Sequence, residues 1–133
     1  MIKVKRIDHV GIGVESMAAA IPFYELLGIG VRETEDLSAR GLKLAFLPVG
    51  ESQVELLEPT DASSSVGKFL AKRGEGIHHI CLAVEDIDAA VKELTAAGIK
   101  MIDQVPRPGG GGHRIAFIHP DSTHGVLVEL LED

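Results

Sequence analysis

Two histidines and two glutamates stand inside otherwise apolar segments, and this combination predicts a site for one divalent metal ion. Glu55 and Glu129 each follow a valine and precede two leucines. A carboxylate buried among such side chains is costly unless a cation compensates its charge. With His9 and His79, the set offers two imidazoles and two carboxylates, which suit borderline to hard divalent ions.

The four residues recur because the chain repeats itself. Residues 7–29 overlay residues 77–99 at an offset of 70, and 8 of the 23 paired positions are identical, His9 with His79 among them. Residues 54–58 recur letter for letter as residues 128–132, which pairs Glu55 with Glu129. One such residue alone is more often structural than a ligand. The same two types at matched places in both copies favour a shared metal site.

Both copies predict the same order of elements, a strand, a helix and three further strands. The first strand covers residues 6–14 and carries His9 on the face opposite Val10. The helix spans residues 16–27, with Pro22 inside it and Gly28 as its C-terminal cap. Its apolar positions recur at spacings of three and four. The remaining strands are expected at 30–35, 42–49 and 53–58.

The second copy predicts a helix over residues 86–97 and strands near 100–104, 113–119 and 126–131. Two stretches are irregular. Residues 59–73 begin as a Ser-rich connector and become a short helix through Val66, Phe69 and Leu70. Residues 106–114 contain four consecutive glycines, which favour either a flexible hairpin or a mobile loop that closes over a ligand.

Length, charge and cysteine content narrow the class of protein. A chain of 133 residues predicts one α+β domain, with modules at about residues 5–59 and 76–132 and a connector at about 60–75. The net charge of -7 argues against binding to nucleic acids or to anionic membrane surfaces. No apolar run approaches the roughly 18 residues that span a bilayer. Cys81 is the single cysteine and cannot form a disulfide within the chain, which is the cysteine usage expected in the reducing cytoplasm.

These motifs resemble the vicinal oxygen chelate superfamily and, within it, the methylmalonyl-CoA epimerase family. The segments most similar to the epimerases are residues 69–81, 115–120 and 125–130. The resemblance implies two tandem βαβββ modules that form a curved, partly closed mixed β-sheet around a metal site, with the helices outside. It implies one ion, with Co²⁺ favoured and Zn²⁺, Ni²⁺ or Mn²⁺ as alternatives, on the ligands His9, Glu55, His79 and Glu129.

The same resemblance implies a reaction, the interconversion of (2R)- and (2S)-methylmalonyl-CoA through a metal-stabilised enolate. Inversion requires acid/base groups on both faces of C2. Some epimerases carry a catalytic glutamate in the strand equivalent to residues 41–45 and glutamine at the position of Glu55, whereas this chain has Leu44 and Glu55. Our hypothesis is that Glu55 and Glu129 serve both as ligands and as the two bases.

Other functions remain open at this point. Glyoxalase I (lactoylglutathione lyase) uses equivalent ligands, and a metal-free ligand-binding module of the same fold is a different class. An acyl-CoA substrate would need a positive patch, and its candidate residues are Lys68, Lys72, Arg73, Arg107 and Arg114. The resemblance also implies a homodimer.

Overall fold

The computed structural model describes residues 1–133 and contains eight strands and three helices of more than one turn. The elements of the first copy and the connector are β1 (Val4–Gly13), α1 (Met17–Leu26), β2 (Glu33–Leu37), β3 (Leu42–Val49), β4 (Ser52–Pro59) and α2 (Ser65–Arg73). Those of the second copy are β5 (Gly76–Val84), α3 (Ile87–Ala96), β6 (Arg107–Pro108), β7 (Arg114–Ile118) and β8 (Val128–Glu132).

The strands form one mixed sheet in the order β2-β3-β4-β1-β5-β8-β7-β6, which confirms the predicted α+β class. Their contacts define two compact units. The first unit is His9–His78, and the second unit combines Met1–Asp8 with His79–Asp133. The single domain remains a prediction. None of the helices has the length and apolar character needed to cross a bilayer.

In the first unit, β4 lies between β3 and the second half of β1. Residues 9–13 pair in parallel with residues 53–57, and β3 is antiparallel to both β4 and β2. The helix α1 begins as predicted, because the Ser16 side chain accepts the Ala19 N–H and caps it. One face of this unit packs Val14, Ala45, Leu47 and Leu56 against α1, and the other packs Leu44, Phe46 and Leu57 against Val66 of α2.

The second unit repeats this arrangement with β5, β8 and β7. The strand β5 is parallel to β8, and β8 is antiparallel to β7. Asp86 caps α3 by accepting the Ala89 N–H. The buried side chains form two clusters. The larger contains Val84, Ile87, Ala90, Val91, Met101, Ala116, Ile118 and Leu130, and the smaller contains Cys81, Ala83, Ile115 and Leu131.

The strand predicted near residues 100–104 is wrong. Only Met101 forms a bridge, to Ile118, and the edge of the sheet is the two-residue strand β6. The predicted strand is lost because the Asp103 carboxylate accepts the Phe117 N–H at 2.8 Å. A side chain thus takes the hydrogen bond that a neighbouring strand would receive from Phe117. The glycine run forms the loop of the predicted hairpin, which joins β6 to β7, and the Gly109 N–H closes this loop by donating to the His113 carbonyl oxygen at 2.8 Å.

Gly67 fixes how closely α2 approaches the loop before it. A Cβ at this position would lie 2.6 Å from the Asp61 carbonyl oxygen and 2.7 Å from that of Ala62. We therefore expect Gly67→Ala to lower the free energy of unfolding by about 1–3 kcal/mol, despite the higher helix propensity of alanine. Gly30→Ala is the matched control, because a Cβ there meets nothing within 4 Å. Urea denaturation that gives equal stabilities for the two variants would contradict this packing.

Candidate metal centre and active site

The first unit holds one buried histidine–glutamate pair. His9 lies on β1 and Glu55 on β4, and the register pairs Glu55 with Gly11, two residues beyond the histidine. Their side chains meet with His9 Nε2 and Glu55 Oε2 3.3 Å apart. The two residues are 3% and 7% exposed. A carboxylate this deeply buried depends on the imidazole, or on a cation bound by both, for its compensation.

The second unit holds the equivalent pair in the same register. Glu129 on β8 pairs with Cys81, which again lies two residues beyond the histidine, His79. His79 Nε2 and Glu129 Oε1 are 2.9 Å apart, and the residues are 5% and 6% exposed. The duplication therefore preserves the geometry of the pair as well as the residue types.

Small residues follow each histidine on its own face of the strand. Because side chains alternate across a strand, Gly11 and Gly13 continue the face of His9. By the same rule, Cys81 and Ala83 continue the face of His79. At Gly13 the absent side chain makes room for the Phe69 ring, which would lie 3.3 Å from a Cβ there. Cys81 and Ala83 pack with Ile115 and Leu131. Small residues at these positions therefore allow neighbouring side chains to pack closely on the strand.

The donor atoms fit a divalent ion. Each pair brings an imidazole nitrogen and a carboxylate oxygen to hydrogen-bonding distance within a buried environment. Such a pair is satisfied by a proton between the two atoms or by a cation that binds both, so protons and metal ions compete for it. His9, His79 and Glu129 are among the buried residues whose side chains can hold a metal ion.

A phenylalanine faces each glutamate from the next strand. Phe46 of β3 pairs with Glu55, and Phe117 of β7 pairs with Glu129. Residues paired in antiparallel strands share one face of the sheet. The Phe117 ring lies edge-on to the His79 ring, with centroids 5.5 Å apart. These phenylalanines were not predicted as site residues from the sequence, although their recurrence in the repeat is the signal that identifies them.

Leu44 lies on the same face of β3 as Phe46. It is 3% exposed and packs with Phe46, Leu57 and Val66 beneath α2. The position at which some epimerases carry a glutamate therefore belongs to an apolar cluster in this protein. Any acid/base group in the first unit must come from another residue, and Glu55 is the buried carboxylate of that unit.

The predicted basic residues differ in what they bind. Both Nη atoms of Arg114 donate to the Asp88 carboxylate, which lowers the pKa of Asp88 and raises that of Arg114. Arg107 donates through Nε to Asp103 at 2.8 Å. The other three, Lys68, Lys72 and Arg73, are exposed on α2.

Another ionic cluster, which the sequence analysis did not identify, lies near the start of β1. Arg6 donates to Asp8 at 2.9 Å and to Asp133 at 2.7 Å. Lys5 contributes a further bond to Asp133 at 2.8 Å. The hydrogen bond between Arg6 and Asp133 is the main cause of two shifts: it lowers the pKa of the Asp133 carboxyl and raises the pKa of the Arg6 guanidinium. This network fastens β1 to the residue that follows β8.

Comparison with known proteins supports the resemblance found in the sequence. The profile of the Glyoxalase/Bleomycin resistance protein/Dioxygenase superfamily matches residues 8–117. The mitochondrial methylmalonyl-CoA epimerase of Dictyostelium discoideum is 37% identical over 98% of this chain and 80% of its own. The ethylmalonyl-CoA/methylmalonyl-CoA epimerase of Cereibacter sphaeroides is 38% identical over 94% of this chain and 96% of its own.

A solved structure extends the similarity to the whole fold. A variant of Streptomyces coelicolor methylmalonyl-CoA epimerase, in complex with 2-nitronate-propionyl-CoA, superimposes with a TM-score of 0.94. It is 40% identical, and the alignment covers 98% of this chain and 96% of that one. This chain therefore belongs to the Glyoxalase/Bleomycin resistance protein/Dioxygenase superfamily and is a homologue of its methylmalonyl-CoA epimerases.

Proposed function

We propose that the protein is a metal-dependent epimerase that interconverts (2R)- and (2S)-methylmalonyl-CoA. The observation that carries the proposal is the buried histidine–glutamate pair, which occurs in the same register in both units. The epimerase homologues supply the substrate class. Cys81 is buried and, as the single cysteine, forms no disulfide within the chain, which favours a cytoplasmic location as part of the same proposal.

In this proposal the two pairs share one divalent ion, with His9, Glu55, His79 and Glu129 as its ligands. Two imidazoles and two carboxylates leave coordination positions for a substrate, and Co²⁺ is favoured over Zn²⁺, Ni²⁺ and Mn²⁺ by resemblance to the epimerases. The bound ion supplies Lewis-acid stabilisation of the negative charge that develops beside C2.

The protein's own contribution is to move the C2 proton. Each glutamate has one oxygen facing an imidazole and a second oxygen that we assign to proton transfer. Glu55 and Glu129 come from different units, so we propose that one removes the proton and the other returns it on the opposite face. The apolar walls formed by Phe46 and Phe117 limit the access of water to these carboxylates.

We expect purified protein to contain about one divalent ion per chain and to epimerise methylmalonyl-CoA. Chelation should abolish the activity, and adding back Co²⁺ should restore it, because the carboxylates alone provide no Lewis acid. Elemental analysis and a coupled epimerase assay measure both properties. Activity on the hemithioacetal of glutathione and methylglyoxal, with none on methylmalonyl-CoA, would instead identify a glyoxalase.

Glu55→Gln and Glu129→Gln test the two bases separately. Each variant should lose about 10²-fold or more in epimerisation, because a neutral amide does not accept the C2 proton. In deuterated water, each variant should still exchange the C2 proton of one epimer with retention, through the base that remains. Product analysis by NMR and mass spectrometry distinguishes exchange from inversion.

The matched control for these variants is Glu51→Gln, which alters an exposed glutamate in the turn between β3 and β4. It should retain the epimerisation rate of the unaltered protein. The metal content of every variant is measured in parallel, so that loss of the ion is separated from loss of the base. Undiminished epimerisation by either ligand variant ends the two-base assignment.

We propose that two copies of the chain associate through α1. Phe23, Leu26 and Leu27 are 59%, 88% and 60% exposed. The matched positions of the second copy are Glu93, Ala96 and Ala97. The fold therefore does not require large apolar residues there. Two copies of a chain with net charge -7 repel each other. Residues 16–30 contain one charged side chain, so electrostatic repulsion between the copies is small at this face.

Light scattering should give twice the chain mass of 14.2 kDa for the unaltered protein. Phe23→Lys combined with Leu26→Lys should give the single-chain mass, because the added charges would have to be desolvated at the contact. Ala96→Lys on α3 is the control and should leave the dimer intact. A monomeric unaltered protein, or a dimer that survives the double substitution, would overturn the use of this face.

A further inference from the structure

An arginine stacks on the phenylalanine that faces the glutamate in each unit. The Arg32 guanidinium carbon lies 5.7 Å from the centroid of the Phe46 ring, and that of Arg107 lies 5.7 Å from the centroid of Phe117. Two cation–π contacts are ordinary for a chain of this length. Their placement is informative, because both fall on equivalent rings beside the buried histidine–glutamate pairs.

The two arginines come from different places in the repeat. The Arg32 N–H donates to the Phe46 carbonyl oxygen at 2.8 Å, and in the second unit the matching bond comes from Ile102 to Phe117. Arg107 follows that position by five residues. The cation over the ring therefore comes from a different position in each unit.

Arg107 is held more firmly than Arg32. The Asp103 carboxylate accepts a hydrogen bond from Arg107 Nε at 2.8 Å. The Asp103 side chain is 14% exposed and also accepts the Phe117 N–H, which holds it in place. Arg32 pairs instead with the exposed Glu33, at the longer distance of 3.3 Å. The bond to Asp103 uses Nε alone. The two Nη atoms of Arg107 therefore remain as a pair of parallel donors, a geometry suited to a carboxylate.

The other arginines of the second unit lack this property. Arg6 is bound by Asp8 and Asp133, and both Nη atoms of Arg114 are bound by Asp88. Arg107 alone in this unit combines a fixed orientation, open Nη donors and a place one ring away from His79. Its position there is set by Phe117, which contacts both side chains.

We propose that Arg107 binds the free carboxylate of the acyl group and so selects dicarboxylic acyl-CoA esters over simple acyl-CoA esters. The inference rests on the proposed function and extends it to the choice of substrate. A protein of net charge -7 repels an anionic ligand except where a local cation offsets the field. Arg107 supplies that cation beside the His79–Glu129 pair, and Asp103 is its positioning residue.

Equilibrium binding of two achiral ligands tests this without turnover. Malonyl-CoA carries the carboxylate, whereas propionyl-CoA lacks it and is otherwise similar. We expect the unaltered protein to prefer malonyl-CoA, and Arg107→Met to weaken malonyl-CoA binding about 30-fold while changing propionyl-CoA binding less than about 2-fold. Asp103→Asn, which keeps an oxygen for the Phe117 N–H, should lose part of the preference because the guanidinium is no longer fixed.

Arg114→Met is the matched control, since Arg114 lies in the same unit and its side chain has the same 47% exposure as that of Arg107. Both of its Nη atoms are bound by Asp88, which removes Arg114 from the predicted positive patch. It should leave both affinities unchanged. Equal losses for both ligands in Arg107→Met would mean that Arg107 binds the phosphates of coenzyme A, and would overturn the proposal. So would an unchanged preference for malonyl-CoA in that variant. An epimerase assay of the unaltered protein, run alongside, shows separately whether the proposed function fails.

Discussion

The burial of two carboxylates inside apolar strands is the constraint on which this structure depends. Glu55 and Glu129 are each less than one-tenth exposed, so neither can obtain from water the stabilisation that its charge requires. An imidazole meets each of them through Nε2. An imidazole nitrogen and a carboxylate oxygen are also ordinary metal ligands. The groups that compensate the buried charge are therefore the same groups that the proposed chemistry uses.

Duplication explains how the chain meets this requirement twice. In each unit a parallel pair of strands sets the histidine two residues before the partner of the glutamate, and an antiparallel pair sets a phenylalanine opposite that glutamate. Strand register is set by the alternation of buried and exposed side chains, so it survives any divergence that keeps this alternation. Leu44 and Ile115, for example, each keep the matched phenylalanine and leucine of their own copy as neighbours, whereas the contact with Val66 of α2 belongs to the cluster of Leu44 alone.

The two copies have diverged where their surroundings differ. Asp103 binds the backbone of Phe117 and removes a strand from the second unit, and the same carboxylate orients Arg107. In the first unit, the corresponding segment is the regular strand β2, and Arg32, the residue before this strand, contacts the Phe46 ring. The exposed face of α1 carries large apolar side chains, whereas the matched positions of the second copy are a glutamate and two alanines. Divergence after duplication thus allows one fold to carry different surfaces.

The sequence by itself determined the repeat, the order of the elements, the glycine cap at the end of α1 and the four buried polar residues. These follow from local patterns and from the cost of burying charge, which need no knowledge of distant contacts. Only the tertiary structure decided the loss of the strand near Asp103, the burial of Leu44 and the stacking of Arg107 on Phe117. Those outcomes depend on which side chains meet across strands far apart in the chain, and the periodicity of one segment carries no information about its partner.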